Sequence, residues 1–489
     1  MSGQFAEIGS MVEAIGSAWS PHHPDPLRRS LAGALQAAIE AGHLPAGGRL
    51  PPERLLARRL GVGRNTVAAA YAALASAGVV TRRTGSGTYV ASGRRWSAGD
   101  ASRLSDNPLL RHPEPTSERL IDFRTASLEA DESVVPALRE AATQVAVLAH
   151  GHGYVTQGWE PLRVAIAEYL SDGGLASDPD QILVTSGAQQ AIDIAVSALV
   201  DPGDPVLVES PTYPGALDVV RRVGAAVIPV PVGVNGVRSD QVRALAARVR
   251  PRLLYLTPTF NNPTGAVLPE PERQRLAGLA RELDFAVVED LTLAELSGGP
   301  VPPPPIGAFA RADNVLSVGS FSKLFWGGLR LGWIRGPRSQ IARLARVKAV
   351  GDLGCPLPSQ VAGRLLLGRV DEVRARRREQ LRSRYAVVEE LLRTLLPAWR
   401  WATPAGGPSI WVRLPGGDAD GFARLARAHG VDVVSGTHFS PDGSTPGYLR
   451  LPFCRPPQVL EAGIERLAGA WREFEAGRPE AEDGSRPLV

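Results

Sequence analysis

From residue 120 onward the chain alternates short apolar runs, rich in β-branched residues, with stretches of helical periodicity. The runs fall at 181–185, 205–208, 226–230, 253–256, 285–288 and 315–318, and helical patterns occupy 189–199, 241–249 and 270–283 between them. Runs this short and this uniformly apolar suit strands buried on both faces, and such strands need helices to cover them. The pattern therefore predicts an α/β domain built on a mostly parallel sheet. In sheets of that kind binding sites gather at the C-terminal ends of the strands. Chemistry is to be sought in the residues that follow each run.

Those residues form a series. Ser186-Gly187-Ala188-Gln189-Gln190 follows the first run and opens a helix, where small residues leave backbone N–H groups free to cradle an anion. Tyr213, in Pro211-Thr212-Tyr213-Pro214-Gly215, could stack on a flat ring or simply pack in a core. Asn262, in Asn261-Asn262-Pro263-Thr264-Gly265, could donate to a ring oxygen. Asp290 ends the 285–288 run, where a buried carboxylate could hold a protonated ring nitrogen. Ser320-Phe321-Ser322-Lys323 follows the last run, with Arg330 seven residues on.

Lys323 stands out through composition. Lysine occurs only twice, at 323 and 348, among 54 basic residues. Arginine cannot act as an amine nucleophile, because its guanidinium stays protonated. A lysine kept in an arginine-rich chain, flanked by hydroxyls and an arginine, suits an aldehyde cofactor that carries a phosphate: the amine forms the Schiff base, and Ser320, Ser322 and Arg330 hold the anion. A solvated surface lysine is the alternative that this segment alone leaves open.

The N-terminal part has a different character. Residues 21–95 contain 11 arginines and three acids, a charge of +8 in a chain whose total is +4. A basic head on a mildly acidic body suits a polyanion partner. Apolar spacing predicts a helix over 27–41, a second opened by Pro51-Pro52-Glu53 and ended at Gly61, and a third from Arg64 carrying Val67, Tyr71 and Leu74 inward. Strands at 79–83 and 88–90 then flank a glycine hairpin, Thr84-Gly85-Ser86-Gly87. Helix, helix, short turn, helix and hairpin is the winged helix-turn-helix order, with the third helix in the major groove of double-stranded DNA. Arg64, Asn65 and Thr66 then face base edges, and Arg82, Arg83 and Gly85 face backbone or minor groove.

The domains are expected at 20–92 and 120–475, joined by a Ser-, Pro- and charge-rich linker over 93–119 and followed by a disordered tail over 476–489. Two cysteines, Cys355 and Cys454, are too few for a disulfide framework or a zinc cluster, so no metal is expected. No apolar run reaches membrane-spanning length and no secretory leader is evident, which suits a cytoplasmic protein.

The head resembles the GntR family of DNA-binding domains, through Leu50-Pro51-Pro52-Glu53-Arg54, Leu60-Gly61-Val62-Gly63-Arg64-Asn65-Thr66-Val67 and Gly85-Ser86-Gly87-Thr88-Tyr89-Val90. The resemblance puts Arg54, Arg64 and Thr66 on DNA-contacting positions. Gly63 stands where the family carries a capping Ser or Thr. The body resembles the fold-type I, class I aminotransferases that use pyridoxal 5'-phosphate (PLP). That resemblance implies Lys323 as the Schiff-base lysine, Asp290 on the pyridine nitrogen, Asn262 on the ring hydroxyl and Tyr213 stacked on the ring. It also implies Ala188, Gln189, Ser320 and Arg330 on the phosphate, Tyr154 of the partner subunit reaching that phosphate, and Arg450 holding a ligand carboxylate. Two departures stand out: Thr292 and Leu293 replace a tyrosine usual after the aspartate, and 122–127 lacks a glycine common on the substrate side. Together the two parts resemble the MocR subfamily of regulators. That implies a homodimeric, head-to-tail transcription factor sensing PLP or a small amino-compound effector, with at most a residual amino-transfer half-reaction. An active aminotransferase with an appended head is the alternative.

Overall fold

The computed structural model describes residues 27–40, 44, 48–76, 79–83, 87–90, 120–149, 151–299, 301–310 and 314–477. The chain divides into two compact units, Met1–Asp106 and Asn107–Val489. The predicted linker over 93–119 and residues 478–489 of the predicted tail lie outside the described residues.

The first unit is a winged helix-turn-helix. Helix α1 (Leu27–Glu40) is followed by α2 (Glu53–Leu60) and α3 (Arg64–Ser76), then by strands β1 (Val80–Arg83) and β2 (Gly87–Val90), paired antiparallel from Val80↔Val90 to Arg83↔Gly87. Pro52 precedes α2 and Glu53 complements its N-terminal dipole. Gly61 ends it at φ 67°, a left-handed conformation that costs glycine little, with its N–H on the Ala57 carbonyl. Leu31, Leu35, Leu56, Val67 and Leu74 fill the core. Tyr71 joins them and donates its hydroxyl to the Pro51 carbonyl at 2.8 Å, which ties α3 to the segment before α2. The Leu50 N–H donates to the Thr88 carbonyl at 2.8 Å, so the wing is anchored to the chain ahead of α2.

The second unit begins with β3 (Ile121–Asp122), α4 (Val134–Leu148) and α5 (Glu160–Asp172). It continues through β4 (Ile182–Thr185), α6 (Ala188–Leu199), β5 (Pro205–Ser210), α7 (Pro214–Val223) and β6 (Ala226–Pro231). Then come α8 (Ser239–Val249), β7 (Leu253–Leu256), α9 (Glu270–Glu282), β8 (Ala286–Asp290), β9 (Val315–Ser320) and β10 (Gly332–Arg335). The seven-stranded sheet has the order β4-β10-β9-β8-β7-β5-β6. All neighbours are parallel except β10, which runs antiparallel to both β4 and β9.

Alternate residues of the central strands serve opposite faces. Val206, Val208, Leu253 and Tyr255 pack with α6 and α7, while Leu207, Leu254 and Leu256 pack with α8 and α9. A central strand must therefore be apolar along most of its length, and runs of that kind make six of the seven visible in the sequence. The seventh, β10, carries no such signal: it is four residues long and ends on Arg335. The expectation that 226–230 is fully buried is corrected. As β6 it forms the sheet edge and is mostly half-buried, and its Pro229 and Pro231 are residues that an edge tolerates.

The chain closes with α10 (Arg338–Gly351), α11 (Leu357–Leu367), α12 (Val370–Leu395), β11 (Ser409–Arg413), α13 (Ala419–Ala428), β12 (Val431–Asp432), β13 (Val434–Ser435), β14 (Tyr448–Pro452) and α14 (Pro457–Ala476). A three-stranded antiparallel sheet, β11-β14-β13, packs with α12, α13 and α14 around Trp399, Phe422 and Trp471. Strand β3 pairs parallel with β12, Ile121↔Val431 and Asp122↔Asp432, so the first described residues after the linker are pinned into this C-terminal layer. Among the described residues no helix is long and apolar enough to cross a membrane.

Candidate functional site

The loops at the C-terminal ends of the strands, with β14 opposite, enclose a cavity of about 300 Å³. Ala188, Gln189, Tyr213, Asn262, Asp290, Ser320, Ser322, Lys323, Arg330 and Arg450 all line it, although they span more than 260 positions of sequence. Tyr154 does not line it and is 62 % exposed.

The anion end is built first by backbone. Gly187, at φ 92°, caps α6, and the first residues of that helix, Ala188 and Gln189, line the cavity. A Cβ at position 187 would lie 3.3 Å from Arg330 Nη2. Arg330, itself left-handed at φ 48°, donates from Nη2 to the Ser186 carbonyl at 2.7 Å. Ser320 Oγ accepts from the Ser322 N–H at 3.1 Å, which closes the turn that leads to Lys323. Gln189 Nε2 donates to the Gly215 carbonyl at 2.9 Å, fixing the start of α6 against the Tyr213 loop.

The amine end is polar and enclosed. Lys323 Nζ donates to the Ala126 carbonyl at 2.9 Å and to Ser127 Oγ at 2.8 Å. Burial pulls its pKa down to about 8, and the Arg450 charge pushes in the same direction against the opposing pull of Asp290. Asp290 is buried, and burial raises its carboxyl above the ordinary range. Tyr255, buried on β7, donates its hydroxyl to Asp290 Oδ2 at 2.9 Å, and the Thr292 N–H donates to Oδ1 at 2.9 Å. Nearby Glu209 is fully enclosed, which lifts it to about 8; it accepts from the Thr257 N–H at 2.7 Å and from Asn261 Nδ2 at 2.8 Å, anchoring the turn that carries Asn262.

Arg450 sits over the Phe439 ring at 5.1 Å and is buried, which lowers it to about 10. It donates to the Arg124 carbonyl and, at 3.4 Å, to Asn262 Oδ1. The segment 124–127 therefore supplies acceptors to both Lys323 and Arg450. Sequence reasoning does not reach Ser127, Arg124 or Tyr255. Tyr255 carries a usable signal, since a tyrosine in an otherwise aliphatic buried strand needs a partner for its hydroxyl. The segment 122–127 is conspicuous in sequence only for its missing glycine, and nothing periodic marks Ser127.

Among the described residues, Arg450 Nε is buried at the cavity with no hydrogen-bond partner. The glycine-lined turn, Arg330, a lysine drawn toward neutrality and a buried carboxylate across the same space make up the donor set that a phosphorylated pyridine aldehyde requires. The residues fit that group.

On the head, Arg54, Arg64 and Asn65 are exposed and Thr66 is half-buried. Arg64 Nε lies 3.3 Å from Glu53 Oε2, which links the start of α3 to the start of α2. The Thr66 N–H donates to the Gly63 carbonyl at 3.0 Å. The side chains of Arg82 and Arg83, and Gly85 as a whole, lie outside the described residues.

Comparison with known proteins follows this division. Residues 27–90 match the gntR family of bacterial regulatory proteins, and residues 121–467 match class I and II aminotransferases. The HTH-type transcriptional regulator TauR of Rhodobacter capsulatus is 30 % identical, over 89 % of this chain and 94 % of its own. The probable rhizopine catabolism regulatory protein MocR of Rhizobium meliloti is 33 % identical over 63 % of this chain and 65 % of its own. Among solved structures, LysN, the α-aminoadipate aminotransferase of Thermus thermophilus complexed with N-(5'-phosphopyridoxyl)-L-leucine, superposes with a TM-score of 0.68 at 30 % identity, covering 73 % of this chain and 94 % of that one.

Proposed function

The chain belongs to the class I and II aminotransferase family and carries a gntR-family head in the manner of MocR-type regulators, and on that premise we propose that it is a DNA-binding transcriptional regulator whose body senses PLP or an amino-compound ligand at Lys323. When bound, PLP supplies an aldehyde carbon for a primary amine and a ring that draws electrons from it. Lys323 would carry the aldehyde, and Asp290, braced by Tyr255, would hold the ring nitrogen's proton. Asn262 would meet the ring hydroxyl and Tyr213 the ring face. The start of α6 at Ala188 and Gln189, with Ser320, Ser322 and Arg330, would hold the phosphate, joined by Tyr154 of the partner subunit in a head-to-tail homodimer. Exposed apolar side chains, among them Val147, Val350 and Leu353, favour such a second copy.

The observation that carries the regulatory reading is the bonding of segment 124–127. Lys323 and Arg450, the cations suited to a ligand's amine chemistry and carboxylate, both donate to carbonyls of that segment. A ligand that engages both must compete with the Ala126 and Arg124 carbonyls. Segment 124–127 follows β3, the first described element after the linker to the head. A ligand that prefers one bonding state of this segment would shift the body's conformation, and linkage to operator affinity would follow from that preference. The head would read its operator in the cytoplasm through Arg54, Arg64, Asn65 and Thr66, with Arg82, Arg83 and Gly85 on the wing.

Borohydride reduction of PLP-treated protein, followed by peptide mapping, tests the assignment. The expected product is a single phosphopyridoxyl adduct at Lys323; an adduct at Lys348, or none, contradicts it.

A further inference from the structure

The chain's second lysine has no part in the site described above, yet its surroundings lead back there. Lys348 lies on α10 with its side chain 0 % exposed, paired with Asp352 one turn on. Asp352 Oδ2 accepts from Gln190 Nε2 at 2.6 Å. Gln190 Oε1 in turn accepts from the Ser186 N–H at 2.7 Å, and the Ser186 carbonyl is the one that holds Arg330. An unbroken run of hydrogen bonds joins Lys348 to the anion-binding turn and its arginine. Burial works against the charge of Asp352, but the bonds from Lys348 and Gln190 keep its carboxyl below the ordinary range.

The same carboxylate looks the other way too. Asp352 Oδ1 accepts from the Gly354 N–H at 2.9 Å. Gly354 packs so tightly on the chain before it that a Cβ there would lie 2.8 Å from the Val155 carbonyl. Thr156 Oγ1 donates to the Leu353 carbonyl at 3.3 Å. The ion pair therefore braces both the turn at 186–189 and the stretch that presents Tyr154.

With Lys348 buried and Asp352 half-buried, the pair contributes little net stability against apolar residues of similar shape, because desolvation offsets the attraction. What it does supply is fixed geometry for the groups that it bonds. We propose that Lys348 and Asp352 are positioning residues for the phosphate end of the cofactor site, holding the 186–189 turn and Arg330 in register through Gln190. The proposal rests on the PLP reading above and extends it to residues that touch no ligand.

Pyridoxal, which has the same aldehyde and ring without the phosphate, separates the two ideas. Full-length wild-type protein, K348M and D352N are stripped of cofactor and titrated with PLP and with pyridoxal, followed by visible absorbance, with thermal melting as the check on folding. Losing a charge-assisted bond from the relay should weaken PLP binding roughly tenfold or more in both variants. Pyridoxal binding should stay within about twofold of wild type, since the relay acts on the phosphate alone. Unchanged PLP affinity, or equal weakening of the two compounds, overturns the proposal. Should K348M fail to fold, D352N, which keeps the side-chain shape, decides the matter. Wild-type protein that takes up neither compound overturns the cofactor reading instead.

Discussion

Lys323 owes its chemistry to enclosure. An amine needs its lone pair to attack an aldehyde, and an ordinary lysine near 10.5 withholds it at neutral pH. Burial, helped by the Arg450 charge, brings this one to about 8. PLP attachment measured by stopped-flow absorbance should therefore rise with pH through a midpoint near 8 and level off above it. R450Q removes a neighbouring cation and should move that midpoint upward; an unmoved midpoint means that Arg450 does not act on the lysine. The depressed pKa also carries a stability cost. Between about 8 and 10.5 the folded chain binds fewer protons at Lys323 than the unfolded chain does. The penalty is thus full below that window and fades as pH climbs through it. The rarity of lysine, with Ser320, Ser322 and Arg330 around it, singles out Lys323 in the sequence. It cannot find Ser127 or the Ala126 carbonyl, which meet the amine from almost 200 positions away.

At the scale of elements, most of the sheet is legible because burial on both faces forces an apolar run, and the site motifs are legible because they end those runs. Strand β10 escapes, being short and ending on an arginine. The support of the Lys323 turn escapes as well, since it comes from α12, far along the chain. Arg377 is buried on that helix. It donates to the carbonyls of Leu324 at 2.8 Å, Phe325 at 3.0 Å and Glu129 at 2.7 Å. A helix with Val373, Leu381, Val388 and Leu392 on its buried face gives no local sign that an arginine among them is a clamp. R377M leaves the Leu324 and Glu129 carbonyls without this donor, while that of Phe325 keeps the Asp131 N–H at 3.0 Å, and it should lower stability by about 2 kcal/mol in urea unfolding, roughly 1 kcal/mol for each carbonyl left unpaired. It should also slow PLP attachment without moving the pH midpoint. Full stability in R377M means that the turn holds itself.

At the scale of the whole molecule, the chain divides into a unit that carries the basic head and a unit that carries the body, and the body's first strand, β3, leads into the segment bonded to Lys323 and Arg450. Both units are legible from sequence: the head from its helix order and basic excess, the body from its alternation. The bonding of segment 124–127 is not, because it depends on which backbone carbonyls Lys323 and Arg450 choose. The direct measurement is operator affinity, by fluorescence anisotropy on the protein's own promoter, for wild type, K323A and R64A, each with and without PLP and a panel of amino acids. Wild type should change its affinity when ligand is added. K323A, folded and still binding DNA, should show no change, and R64A should lose about 1–3 kcal/mol of operator binding while still taking up PLP. An equal ligand response in K323A and wild type, or none in wild type, contradicts the account.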